Sequence, residues 1–137
     1  MKPKLLLLFL FTFFIGFSNN DKYRLILVDN PSTTITIGWN QISGTNPTVY
    51  YGTTDFGTNW NSYPTNKTVS RSISYRGMNN NFARITGLTA NTAYYFVIKD
   101  SQGTSRRFWF KTAPNDLSRL SFIAGGDSRN NRTPRQR

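Results

Sequence analysis

The chain has 137 residues, no Cys and no His, and it carries 17 basic against 6 acidic side chains, a formal charge of +11. Without Cys there is no disulfide framework, thiolate metal site or Cys nucleophile, and without His the usual general base at neutral pH and the commonest metal ligand are missing. The length suits one domain with appendages, and chemistry that relies on either missing residue type is excluded from this chain alone.

The basic residues are spread along the chain, and the densest cluster is the tail with Arg129, Arg132, Arg135 and Arg137. A basic surface that keeps an exported domain soluble accounts for this spread, and a polyanion partner is the rival reading. The pattern assigns no specific nucleic acid as partner and does not set the oligomeric state.

Taken in chain order, Met1 to Asn20 comes first. Lys2 and Lys4 form a positive start, Leu5 to Phe17 is nearly all apolar, and Gly16-Phe17-Ser18 offers small residues for a signal peptidase. The expectation is a secretory signal peptide over residues 1–18, with the mature chain secreted or periplasmic and off the membrane after cleavage. A retained N-terminal anchor is the alternative, although the apolar run falls short of the roughly 20 residues a spanning helix needs. Asn66-Lys67-Thr68 and Asn131-Arg132-Thr133 match the glycosylation sequon, which has meaning only in a glycosylating host.

Tyr23 to Asp29, with Leu25-Ile26-Leu27-Val28, predicts a first strand buried on much of both faces. Thr33 to Asn40 alternates, with Ile35, Ile37 and Trp39 on one face, which marks a half-buried strand. Trp39 is expected in the core, with a surface platform as its alternative. Ser43 to Pro47 is a loop, and Thr48 to Thr53 a third strand with Val49 and Tyr51 in alternation. The stretch Gly52 to Lys67 holds Phe56, Trp60 and Tyr63, and it reads either as an edge strand with loops or as a loop carrying exposed aromatics. These aromatics either cap one end of the fold or stand exposed to stack on a sugar or base.

Thr68 to Tyr75 predicts one strand, Gly77 to Asn81 a turn, and Phe82 to Thr86 another strand. Gly87 to Lys99 reads as a tight turn feeding a long strand. Leu88 stands six residues before Tyr94, the arrangement of a tyrosine corner, in which the Tyr hydroxyl reaches back to the upstream backbone. Tyr94, Phe96 and Ile98 are then expected to face the core. Asp100 to Thr104 is a hairpin turn. Arg106 to Thr112 is the last strand, with Phe108 and Phe110 inward and Trp109 outward, and Pro114 ends it because Pro cannot continue a ladder. About seven short strands and no helical periodicity predict an all-β, seven-stranded immunoglobulin-like sandwich over residues 22–114.

Several segments carry a resemblance together: Ile35-Thr36-Ile37-Gly38-Trp39, Pro47-Thr48-Val49-Tyr50-Tyr51-Gly52, Ile85-Thr86-Gly87-Leu88 with Asn91-Thr92-Ala93-Tyr94-Tyr95-Phe96, and Phe108-Trp109-Phe110-Lys111-Thr112-Ala113-Pro114. Their order resembles the N-terminal fibronectin type III-like domain of purple acid phosphatases and related metallophosphoesterases. A short apolar strand, Leu120 to Ala124, then runs into Gly125-Gly126-Asp127. By the same resemblance, residues 115–137 begin a truncated α/β metallophosphoesterase domain, of which this would be the incomplete first strand.

The resemblance further implies that Asp127 is the first metal ligand of a dinuclear centre, iron with iron, zinc or manganese, in the parent enzyme. Such centres hold two cations about 3.5–4 Å apart and hydrolyse phosphate esters. Taken alone, the motif is equally a Gly-Gly-Asp turn without chemistry. The family often has a His before the strand at Phe82, where this chain has Asn81. The further Asp, Asn and His ligands that the family uses are missing. The fragment is therefore expected to be inactive, with phosphate ester substrates met only by the missing catalytic domain. A stand-alone exported module that binds glycan or protein through Trp60 and Tyr63 is the alternative function.

Overall fold

The structure is a computed structural model that describes residues 18–116. The expected signal peptide, apart from Ser18, and the segment from Leu117 through Asp127 to Arg137 lie outside the described residues.

Eight strands form among the described residues: β1 Asn20–Ile26, β2 Ile35–Gln41, β3 Thr48–Gly52, β4 Thr65–Thr68, β5 Arg71–Tyr75, β6 Met78–Ile85, β7 Ala93–Lys99 and β8 Phe108–Lys111. A single 3-10 turn spans Trp60–Ser62. The strands build two antiparallel sheets, in the orders β1-β2-β6-β5 and β4-β3-β7-β8. This is the expected all-β, fibronectin type III-like sandwich.

The core lies between the inner faces. Ile35, Ile37 and Trp39 of β2 meet Val49 of β3, Ala83 and Ile85 of β6, and Tyr94, Phe96 and Ile98 of β7. Trp39 is completely buried, so it is core and not a platform. Its indole N–H donates to Gln41 Oε1 at 2.8 Å, and the Gln41 amide donates to Asp100 Oδ2 at 2.6 Å. Asp100 Oδ1 accepts the backbone N–H groups of Gln102 and Gly103 in the hairpin turn. This buried polar chain ties β2 of one sheet to the end of β7 in the other, and every member finds a partner, as burial demands.

Four expectations are corrected. β1 starts earlier than Tyr23 and stops at Ile26. Leu25, Leu27 and Val28 are exposed at 47, 67 and 69%, because β1 is an edge strand that ends at Ile26 and no strand among the described residues pairs with its far side. The strand expected over Thr68 to Tyr75 starts only at Arg71, as β5, and the edge-strand reading of Gly52 to Lys67 is realised at its end in β4, which raises the count to eight. The chain crosses between sheets at Val69-Ser70, where Val69 packs on the core and the Ser70 N–H donates to Phe82 O at 2.7 Å.

The turn expected over Gly77 to Asn81 is only Arg76-Gly77, both at positive φ, as a two-residue hairpin between strands of right-handed twist requires. Asn79, Asn80 and Asn81 have turn chemistry but lie on β6, where their side chains bond across strands to Ser74, Arg24 and Ser72. The last strand is shorter than expected and begins at Phe108. Phe110 does point inward, and Trp109 is 58% exposed.

Candidate functional site

Asp127, the one expected metal ligand, lies outside the described residues. Among the described residues no three His, Cys, Asp or Glu side chains come together to hold a metal ion. Asp29 pairs with Arg84 at 2.6 Å, and Asp55 with Arg107 at 3.0 Å. Asp21 accepts from the Asn40 amide, and Asp100 is buried in the hairpin turn. The described residues therefore do not fit a dinuclear centre, and no chemical step is derived through one.

A densely bonded local arrangement is the junction of the Leu88–Tyr94 corner with the end of β8. The Thr89 N–H donates to Tyr94 Oη at 2.9 Å, and Leu88 is buried beneath the corner. Tyr94 stacks on Phe110 of the neighbouring strand, ring centroids 5.6 Å apart. Thr112, buried just past β8, donates its hydroxyl to Thr89 O at 2.6 Å and accepts the Thr92 N–H at 2.9 Å. Its backbone N–H reaches Thr92 O, and Ala113 O accepts from the Asn91 N–H. The Ala113 N–H donates to Pro31 O at 3.0 Å, and the Leu88 N–H to Thr33 O at 2.9 Å. Two separate segments, the corner loop and Pro31, thus hold Thr112 and Ala113, and Pro114 follows with no N–H to extend the ladder. This junction fixes the point and direction at which the chain leaves the sandwich.

The aromatic stretch after β3 packs against the outer face of the second sheet, not at an end of the sandwich. Trp60 meets Tyr50 edge-on, centroids 5.0 Å apart, and Lys99 Nζ lies 5.8 Å from the Trp60 ring. Tyr63 is buried, donates to Gly57 O at 2.9 Å and packs edge-on against Phe56. The Asp55–Arg107 pair pins this strap to the segment before β8, and the Arg107 guanidinium also lies 5.4 Å from the Tyr95 ring. Trp60 and Tyr63 therefore share one loop. Tyr63 is spent on packing, and Trp60 is half-buried.

Burial raises the phenol pKa of Tyr23, Tyr51 and Tyr63 above the ordinary tyrosine value of 10.0. The nearby Arg106 guanidinium partly opposes the rise at Tyr23.

Thr112 and the Gln41–Asp100 link escape a reading of the sequence, because their partners lie 20 to 59 residues away. The only available hint is a Thr placed directly before Ala-Pro at a strand end.

The family profile described as Purple acid Phosphatase, N-terminal domain, matches residues 21–112, from the start of β1 to Thr112 in the exit junction. A comparison with curated proteins gives no match. The matched span covers both sheets and most of the chain, and the chain therefore belongs to the purple acid phosphatase N-terminal domain family.

Proposed function

We propose that this chain is the leading, non-catalytic part of an exported phosphate ester hydrolase of the purple acid phosphatase type. The sandwich is the structural domain, and residues 115–137 begin the metallophosphoesterase domain. Export rests on the apolar leader over residues 1–18. No helix among the described residues is long and apolar enough to cross a membrane.

The observation that supports this reading best is the family match ending at Thr112, the residue most tightly held at the exit. In this reading the sandwich sets where the next domain starts, and Asp127 is the first ligand of its dinuclear iron, zinc or manganese centre. This sequence contains no His and only 6 acidic residues, so the remaining ligands come from outside it. Substrate phosphate esters are handled there and not by the sandwich.

Sequencing the DNA downstream of the Arg137 codon tests this proposal. It predicts coding for the further Asp, Asn and His ligands within a domain's length, in frame or past a stop. A downstream region with no such motifs contradicts it and leaves a stand-alone binding module as the function.

A further inference from the structure

The outer face of the first sheet is not the polar surface that a solvated antiparallel sheet normally presents. Gly38 sits at its centre. A Cβ there would lie 3.2 Å from the Phe82 ring and 3.3 Å from Ile26 Cδ1. The missing side chain lets Phe82 lie flat across β2 beside Ile26. Together with Val28 they floor a groove of about 350 Å³, which Thr36, Ser70, Arg71 and Arg84 complete.

Two arginines line this groove and no acidic side chain does. Arg84 is half-exposed and shared with Asp29, and Arg71 has no ion-pair partner among the described residues. Val28 is 69% exposed, and on the neighbouring edge strand Tyr75 is 59% exposed. The Arg24 guanidinium lies 5.8 Å from the Phe82 ring, and Arg71 is the groove arginine without an ion-pair partner among the described residues, so an apolar floor beside a free cation is open to a partner.

We propose that this face is a docking surface for an acidic protein segment, one whose carboxylates flank an aliphatic side chain. The aliphatic group covers Ile26, Val28 and Phe82, and the carboxylates meet Arg71 and Arg84 as charge-assisted pairs. A second copy of this chain does not suit the face, because a twofold contact would set these arginines against their own counterparts. A sulfated or phosphated polymer satisfies the charges but leaves the apolar floor uncovered.

The test uses the purified, isotope-labelled chain and follows backbone amide signals by NMR during titration. The probes are a short peptide alternating Glu and Leu, an all-Glu peptide, a Lys and Leu peptide, and heparin. The Glu and Leu peptide is expected to shift the amides of Ile26, Thr36, Arg71, Phe82 and Arg84 and to bind most tightly. Arg71→Glu, at an exposed position that leaves the fold intact, weakens it roughly tenfold. Lys111→Glu, on the second sheet, makes the same charge change and leaves binding unchanged. Equal binding of heparin or the all-Glu peptide at these residues overturns the proposal in favour of a polyanion site. Equal loss with Lys111→Glu, or no shift at these residues, also overturns it.

Discussion

At the scale of single residues, the account rests on a few hydroxyl and amide groups that have no substitute once buried. The Thr112 hydroxyl meets Thr89 O, Thr92 O and the Thr92 N–H, all from the corner loop. Thr112→Val keeps the shape and removes the hydroxyl, so it leaves Thr89 O and the Thr92 N–H unsatisfied. Thermal or urea unfolding should show a loss of about 2 kcal/mol. Tyr94→Phe removes only the acceptor for the Thr89 N–H at an exposed residue and should cost less, about 1 kcal/mol.

The tyrosines also set an alkaline limit. Their folded pKa values lie above the unfolded value of 10.0, so the neutral phenol is the form the fold favours. That stability is fully present below pH 10 and is lost as pH rises through the folded values. Unfolding followed by circular dichroism should show a midpoint that these three groups leave level through neutrality and that falls above about pH 10. The Leu88 and Tyr94 pair is readable from local spacing, since both ends lie in one short stretch. The Gln41–Asp100 bond is not, because only the folded sandwich brings together groups 59 residues apart.

At the scale of elements, the strands whose side chains alternate between core and solvent are readable, and those that break the pattern are not. β2 and β7 announce themselves through Ile35-Ile37-Trp39 and Tyr94-Phe96-Ile98, every one buried. The Asn run of β6 hides a strand behind turn-type residues, because its amides are used as cross-strand hydrogen-bond groups. The sheet switch at Val69-Ser70 is invisible in periodicity, since a strand that changes sheet keeps one side chain in the core throughout.

The strap from Asp55 to Tyr63 holds by aromatic packing more than by its exposed ion pair, which is worth little at the surface. Asp55→Asn should therefore change stability by less than about 0.5 kcal/mol. Trp60→Ala strips the edge-on contact with Tyr50 and should cost about 1–2 kcal/mol in unfolding titrations. If Trp60 instead served ligand recognition, its removal would leave stability unchanged and abolish glycan binding.

At the scale of the whole molecule, two sheets joined by a buried polar chain and closed by a corner form a body whose exit is fixed at Pro114. Asp100→Ala removes the acceptor for the Gln41 amide and for two turn N–H groups. It should lower stability by about 3 kcal/mol in denaturant titration, because several buried donors lose their partner together. Fold class was readable because every strand but β4 carries a core or edge signature with turn residues between. The family was readable only as company, in the order of motifs around the corner, since many unrelated proteins share this sandwich.

The central claim is that the chain supplies a scaffold and not the hydrolytic machinery. The most direct measurement is phosphate ester hydrolysis by the purified chain, supplied in turn with iron, zinc and manganese, against a buffer with the same metals. The account predicts no hydrolysis above the metal-only rate with any of them. Metal-dependent turnover that rises in proportion to protein concentration would contradict it.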